Sequence, residues 1–172
     1  DEQNEQVGTV VEFNTQYKTD YWEIKFGYQL LYAYDTEVLK EIGNDTSYYA
    51  RDPETQISVK LNKDDYFGLF NRSRHTGNVK INYQINDKLD INTIITYRSK
   101  YGLNDSNGND ILDSYDRFVD GYCLWDIGLT QNINSFQSFQ VGIKNVLGFT
   151  NPEYISNISG RLYYINLKIN LK

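Results

Sequence analysis

From Arg161 to Lys172 the chain alternates without interruption: Tyr163, Ile165, Leu167, Ile169 and Leu171 fall on one side, Tyr164, Asn166, Lys168, Asn170 and Lys172 on the other. A period of two belongs to an extended strand, whose successive side chains point to opposite faces. One face is apolar throughout and the other hydrophilic. At about 11 residues the run matches a tilted strand crossing a bilayer, which needs about 9–11.

The pattern recurs at Val7 to Lys18, Tyr21 to Thr36, Asn71 to Ile85, Lys88 to Ser99, Gly121 to Ile133 and Gln137 to Val146, so seven strands are predicted. Tight reversals fall at Thr19-Asp20, Asn86-Asp87 and Asn134-Ser135. Between these lie long connections: Glu37 to Gly68, with turn signals at Gly43-Asn44-Asp45 and a short strand within Gln56 to Leu61; Lys100 to Asp120; and Leu147 to Ser159. Connections that run short, long, short, long are sorted by end. That is the habit of outer-membrane barrels, with short turns on one side and longer loops on the other, and a β-sandwich has no reason to copy it.

Charge separates the two architectures further. None of the seven apolar faces carries Asp, Glu, Lys or Arg within its strand body, whereas the opposite faces carry Glu12, Glu23, Lys25, Lys80, Asp90, Asp126, Lys144 and Lys168. A charge at the bilayer midplane costs about 2–4 kcal/mol, so an uncharged side suits a lipid-facing wall. The charged inner face excludes a small closed barrel, which would fill its interior with apolar side chains. Tyr17, Trp22, Tyr32, Tyr34, Tyr97, Trp125 and Tyr163 sit towards strand ends, where aromatic girdles form. A mean hydropathy of −0.62 does not argue against this reading, because alternation averages the membrane signal away. The fold expected is all-β, an antiparallel up-and-down transmembrane barrel.

Two motifs resemble TonB-dependent outer-membrane receptors. Lys144-Asn145-Val146-Leu147-Gly148, a short polar loop, and Gly160-Arg161 leading into the alternating final strand are similar to the last two strands of that family; Arg74-His75-Thr76, followed by Asn78 to Tyr83, resembles its strand start. The resemblance implies that these are the last seven strands of a barrel of about 22, wrapped around an N-terminal plug. It implies a receptor in the bacterial outer membrane that imports a scarce, bulky nutrient of the ferric siderophore, haem or cobalamin class, with the C-terminus in the periplasm. The Gly160-Arg161 ending looks more like the metal-chelate receptors than the glycan importers. Implied partners are the remaining strands and plug of the same receptor, TonB, the lipid bilayer and its lipopolysaccharide, with a surface lipoprotein as a further candidate. His75, Asn145, Gly160 and Arg161 take structural roles by the same resemblance.

Seven strands cannot close a wide barrel, and two open edges in lipid would strand backbone groups at several kcal/mol each. The chain is therefore expected to be a fragment, with plug and earlier strands outside it. This agrees with its abrupt start without Met; an aromatic residue at position 173 is expected to be missing. Alternatives are a porin or adhesin barrel, and a soluble secreted β-protein that binds through its loops.

Little in the sequence suggests catalysis. Cys123 is the only Cys, so no intrachain disulfide or Cys-based metal cluster is possible; His75 is the only His, and no Ser-His-Asp or Cys-His arrangement stands out beyond chance. No Gly-rich phosphate loop occurs, and a net charge of −6 argues against nucleic acid. Neither an enzyme nor a cofactor is expected. In the loops, Tyr48, Tyr49, Arg51 and Tyr101 are the candidate ligand contacts, by stacking and charge; the competing reading is a loop packed on its own tyrosines. The run Asp105 to Asp110 carries oxygen ligands suited to Ca²⁺, with Asp105, Asn107 and Asp110 as candidates. It departs from the EF-hand pattern, so it reads first as a solvated polar turn.

Overall fold

The computed structural model describes residues 6–43 and 48–170. The turn at Asn44-Asp45 and the last two residues, Leu171 and Lys172, lie outside that range. In chain order the elements are β1 (Gln6–Lys18), β2 (Trp22–Asp35), α1 (Thr36–Gly43), β3 (Tyr49–Arg51), β4 (Ser58–Lys60), a 3-10 turn (Lys63–Asp65), β5 (His75–Asn86), β6 (Leu89–Arg98), β7 (Tyr101–Asn104), β8 (Arg117–Val119), β9 (Tyr122–Asn134), β10 (Gln137–Lys144) and β11 (Leu162–Ile169). All seven predicted strands exist. They form one unclosed sheet in the order β1-β2-β5-β6-β9-β10-β11, the order of the chain with the loop hairpins left out.

Each short reversal is opened by a side chain that accepts an amide two or three residues on. Thr19 Oγ1 receives the Trp22 N–H at 3.0 Å, Asn86 Oδ1 that of Lys88 at 2.9 Å, and Asn134 Oδ1 that of Phe136 at 2.9 Å. These local bonds fix the hairpins and hence the register. Strand ends differ from the sequence reading by a few residues, most at the start of β5 and after β10. Asn145 adopts left-handed backbone (φ 50°), so β10 stops at Lys144; Asn71 is left-handed too (φ 59°) and lies in the turn before β5, which starts at His75.

Registration carries the apolar faces into continuous rows. Ile81, Thr93, Ile127, Ile143 and Tyr163 stand side by side across β5, β6, β9, β10 and β11, and Tyr83, Ile91, Leu129, Val141 and Ile165 form the next row. No second sheet packs on these rows among the described residues: Tyr163 is 72% and Ile165 71% exposed, and Phe13, Trp22 and Phe26 are exposed as well. Two polar atoms on this side are satisfied internally. Thr93 accepts the Trp125 indole N–H at 2.6 Å and donates its hydroxyl to the Asp126 carbonyl at 2.9 Å, which suits a surface without water.

The opposite face is a polar ladder. Glu23 accepts from Gln16 at 3.0 Å and Asn82 at 2.9 Å and pairs with Lys25 at 3.0 Å, joining β1, β2 and β5. Further along, Asn82, Asn92, Gly128, Gly142 and Tyr164 share a row. The Tyr164 ring lies across the two glycines: a Cβ on Gly142 would stand 2.5 Å from the ring and 2.6 Å from the Ile127 carbonyl oxygen, and one on Gly128 2.8 Å from the phenol oxygen. Glycine there admits an aromatic ring onto the backbone.

By internal contacts the chain divides into two units. One holds residues 12–28, 76–98 and 122–172, most of the sheet; the other holds 1–11, 29–75 and 99–121, with the two long loops. The loop unit has its own small core of Ile42, Tyr66 and Ile111, against which Tyr34, Val38, Leu39 and Tyr48 pack. Helix α1 was not predicted, although its signal is present: Val38, Leu39 and Ile42 are spaced for one helix face. Asp35 caps it, its Oδ1 receiving the Glu37 N–H at 2.8 Å and the Val38 N–H at 3.4 Å.

Candidate ligand-binding loops and the terminal clip

The tyrosine-rich segment is split by its own hairpin. In β3, Tyr49 and Arg51 are exposed on one side while Ala50, between them, is fully buried. Tyr48 is half-buried on the loop core, and its hydroxyl donates to the Glu41 carboxylate. That acceptor, with burial and the neighbouring charges, pushes the Tyr48 phenol up to about 12. The sequence grouped Tyr48, Tyr49 and Arg51; the fold sends Tyr48 one way and the other two another, as strand alternation requires. Tyr101, at the start of β7, is 6% exposed.

Tyr48 also borders a hollow of about 340 Å³ within the loop unit, together with Asp35, Glu37, Glu41, Tyr66 and Asp110. Its rim carries four carboxylates and no cationic side chain. Burial pushes the Tyr66 phenol up, only partly offset by the Asp35 N–H that its oxygen receives at 3.0 Å.

The acidic run between β7 and β8 is knotted by its own amides. Asp105 Oδ1 receives the Asn107 and Gly108 N–H groups at 3.1 and 2.7 Å and its Oδ2 that of Asp110 at 2.8 Å. Asp113, wholly buried, takes the Asn107 and Asn109 side-chain amides on one oxygen, both at 2.9 Å, and the Tyr115 N–H on the other at 2.7 Å. Asp116 takes the N–H groups of Ser106 and Asp113 at 2.7 and 2.9 Å. Burial raises Asp105, but the amides outweigh it and hold this carboxyl below the usual range; at Asp116 burial wins and the carboxyl is raised. Asp105 and Asn107 therefore direct oxygens at backbone amides, and Asp110 contributes its own N–H. Among the described residues no group of three or more His, Cys, Asp or Glu side chains is spaced to hold a metal ion. Asn109 in turn donates to the Tyr49 carbonyl at 3.2 Å, tying this loop to the β3 hairpin.

His75 opens β5, its N–H donating to Ser99 Oγ at 3.0 Å and its carbonyl receiving the Ser99 N–H at 2.9 Å. The residues after β10 form a clip. Asn145, buried and left-handed, donates its Nδ2 to the carbonyls of Phe149 at 2.7 Å and Ser159 at 2.9 Å, and its Oδ1 receives the Phe149 N–H at 3.0 Å. Its backbone N–H goes to Asp126 Oδ1 at 2.8 Å. Arg161 clasps the Val146 carbonyl with Nε at 3.0 Å and Nη2 at 2.7 Å. Gly160 lies where a Cβ would meet only the Thr150 methyl at 3.5 Å, an ordinary contact. The two halves of the terminal motif, 15 residues apart, thus hold the third long connection closed at its base.

No protein-family model matches the sequence, and no curated protein matches it either. Solved structures do. The siderophore receptor PiuA from Acinetobacter baumannii superposes with a TM-score of 0.67 over 95% of this chain and 22% of its own, at 15% identity. The chain has the fold of a part of the barrel wall of TonB-dependent siderophore receptors. A variant of the ferric enterobactin receptor PfeA from Pseudomonas aeruginosa matches such a wall at 0.55 over 92% of this chain and 21% of its own, at 15% identity. The ferric-catecholate import receptor Fiu from Escherichia coli K12 does so at 0.51 over 95% and 27%, at 11% identity. The chain spans about a fifth of the first two receptors' length.

Proposed function

We propose that this chain is part of the wall of an outer-membrane TonB-dependent receptor that imports an iron–siderophore complex. The observation that carries the proposal is the pair of faces: uncharged apolar rows left uncovered on one side, and a hydrogen-bonded ladder with Glu23, Lys25 and Asp126 on the other. In water such rows would expose a large apolar patch; in a bilayer they are solvated by acyl chains while the ladder faces a wet lumen. The open edges β1 and β11 require more strands, supplied by the rest of the same receptor together with its plug. On this reading the long connections face outward, the C-terminus is periplasmic and TonB energises uptake. Haem and cobalamin remain weaker candidates, since the structural neighbours are siderophore receptors. The test is uptake of radiolabelled ferric siderophore by iron-starved cells with and without the gene that carries this chain. Uptake unchanged by deletion, with the protein in the outer membrane, would leave a porin or adhesin barrel as the better reading.

A further inference from the structure

The loop between β7 and β8 holds the one Asn-Gly step in the sequence, Asn107-Gly108. At such a step a backbone amide most readily attacks the side chain before it, because glycine has no Cβ to block the approach. Three neighbours hold the reacting atoms. The Gly108 N–H, which carries the nucleophile, donates to Asp105 Oδ1 at 2.7 Å. Asn107 Oδ1, where negative charge gathers during attack, receives the Asn109 N–H at 3.2 Å. Asn107 Nδ2, the leaving nitrogen, donates to Asp113 Oδ2 at 2.9 Å.

The placing of these groups suits the reaction. A side-chain oxygen bonded to the amide two residues on folds the side chain back over the amide between them, here that of Gly108. Asp105 lies within the reach of a general base, and it is ionised near neutral pH, since its amide bonds outweigh the burial that raises it. Gly108 is exposed at φ 76°, and apart from its chain neighbours no heavy atom lies within 4 Å of where a Cβ would stand, so water reaches the site.

We propose that Asn107 is a self-modification site, at which the folded loop promotes loss of the side-chain amide through a cyclic imide. The Gly108 nitrogen bonds to Asn107 Cγ while its proton passes to Asp105. The Cγ–Nδ2 bond then breaks, and the nitrogen leaves as ammonia once solvent has returned that proton to it. Water opens the ring at either carbonyl, which leaves a side-chain carboxylate at position 107 or a backbone rerouted through the side-chain carbonyl. Water is the only co-reactant. The product loosens the knot: a carboxylate has no N–H for the wholly buried Asp113 and sets a second negative charge against it. Asn109 Nδ2, the amide left on that oxygen, also donates to the Tyr49 carbonyl, so the disturbance reaches the β3–β4 hairpin.

The test ages the intact barrel protein that contains this chain in heavy-oxygen water at mildly alkaline pH, folded in detergent and unfolded in urea, and follows position 107 by peptide mass mapping. Positioning and proton removal together are expected to make conversion about 10–10²-fold faster in the folded protein. Asp105→Asn keeps an acceptor oxygen but cannot take the proton, and should bring the folded rate down to the unfolded one. Asn107→Asp, made directly, should speed hydrogen exchange at the Tyr115 amide, which Asp113 Oδ1 receives, by about 10–10²-fold, the worth of one hydrogen bond to a charged group. Asn107→Ala, which loses the donor without adding charge, should speed it less. Conversion no faster in the folded than in the unfolded protein would overturn the assignment whether or not the variants fold. So would an unchanged rate in Asp105→Asn protein that keeps heat-dependent mobility on a denaturing gel. Tyr115 exchange unaltered by Asn107→Asp would overturn the loosening of the knot.

Discussion

Replacing Asn145 by Ala removes three side-chain hydrogen bonds at once, those to the Phe149 carbonyl, the Ser159 carbonyl and the Phe149 N–H. At about 1 kcal/mol net per bond the loss is about 3 kcal/mol. Alanine must also hold φ near 50°, which adds about 1 kcal/mol that asparagine largely escapes by its tolerance of left-handed backbone. The expected total is about 4 kcal/mol. Asn145→Gly loses the same bonds without the conformational penalty, so it should fall about 1 kcal/mol short of the alanine variant. Because the bonds close a loop base, the damage is expected locally first, and hydrogen exchange at the Phe149 amide, whose N–H the Asn145 side chain accepts, is the direct assay. Exchange in the intact protein should accelerate by about 10²–10³-fold for Asn145→Ala, as about 3–4 kcal/mol of local opening energy is lost. Unchanged protection at Phe149, or a glycine variant weaker than the alanine one, would refute the argument that this asparagine pins the loop through its side chain.

Three further outcomes test other parts of the structure. Ile165→Lys puts a charge in the middle of an apolar row and is expected to cost about 2–4 kcal/mol in equilibrium unfolding from lipid vesicles, whereas Asn166→Lys, one residue on and facing the ladder, should cost under about 1 kcal/mol; similar costs would contradict the assignment of faces. Gly142→Ala drives a methyl into Tyr164 and the Ile127 carbonyl, so it should destabilise by about 1–3 kcal/mol and be partly rescued in a double variant with Tyr164→Ala, measured by the same unfolding. For Tyr48 the folded phenol binds its proton more tightly than the unfolded one. Its contribution is complete below pH 10 and is lost as pH rises towards about 12. A two-unit shift is worth about 2.7 kcal/mol at full strength and about 1 kcal/mol after screening at this half-exposed site. Exchange protection in α1 should fall over that window in the parent and less in Tyr48→Phe.

The sheet was legible because each strand carries its own evidence. Alternation in Leu162–Ile169 or Trp22–Asp35 is a property of neighbouring residues, and the Thr19, Asn86 and Asn134 turns are local as well. The loops were legible only in part. Helix α1 is signalled by Asp35 and the spacing of Val38, Leu39 and Ile42, a helical period inside a stretch that otherwise lacks the alternation of a strand. The β7–β8 hairpin had no comparable signal, because its strands are 4 and 3 residues long and the run between them is closed by Asp105, Asp113 and Asp116.

Sequence alone thus determined the strands, their faces and the sorting of connections by end, since a period of two and a two- or three-residue turn need no distant partner. Tertiary structure alone decided which side chains meet. It sent Tyr48 to Glu41 while leaving Tyr49 and Arg51 exposed, turned the Asp105 run onto its own amides, and brought Arg161 to the Val146 carbonyl. It also gathered Arg72, Arg74 and Lys100, which lie on two loops, into one hollow. The physical reason is reach: a strand's facing is set by bonds along the chain, whereas a pocket is set by which loops fold back together, and no short-range pattern encodes that.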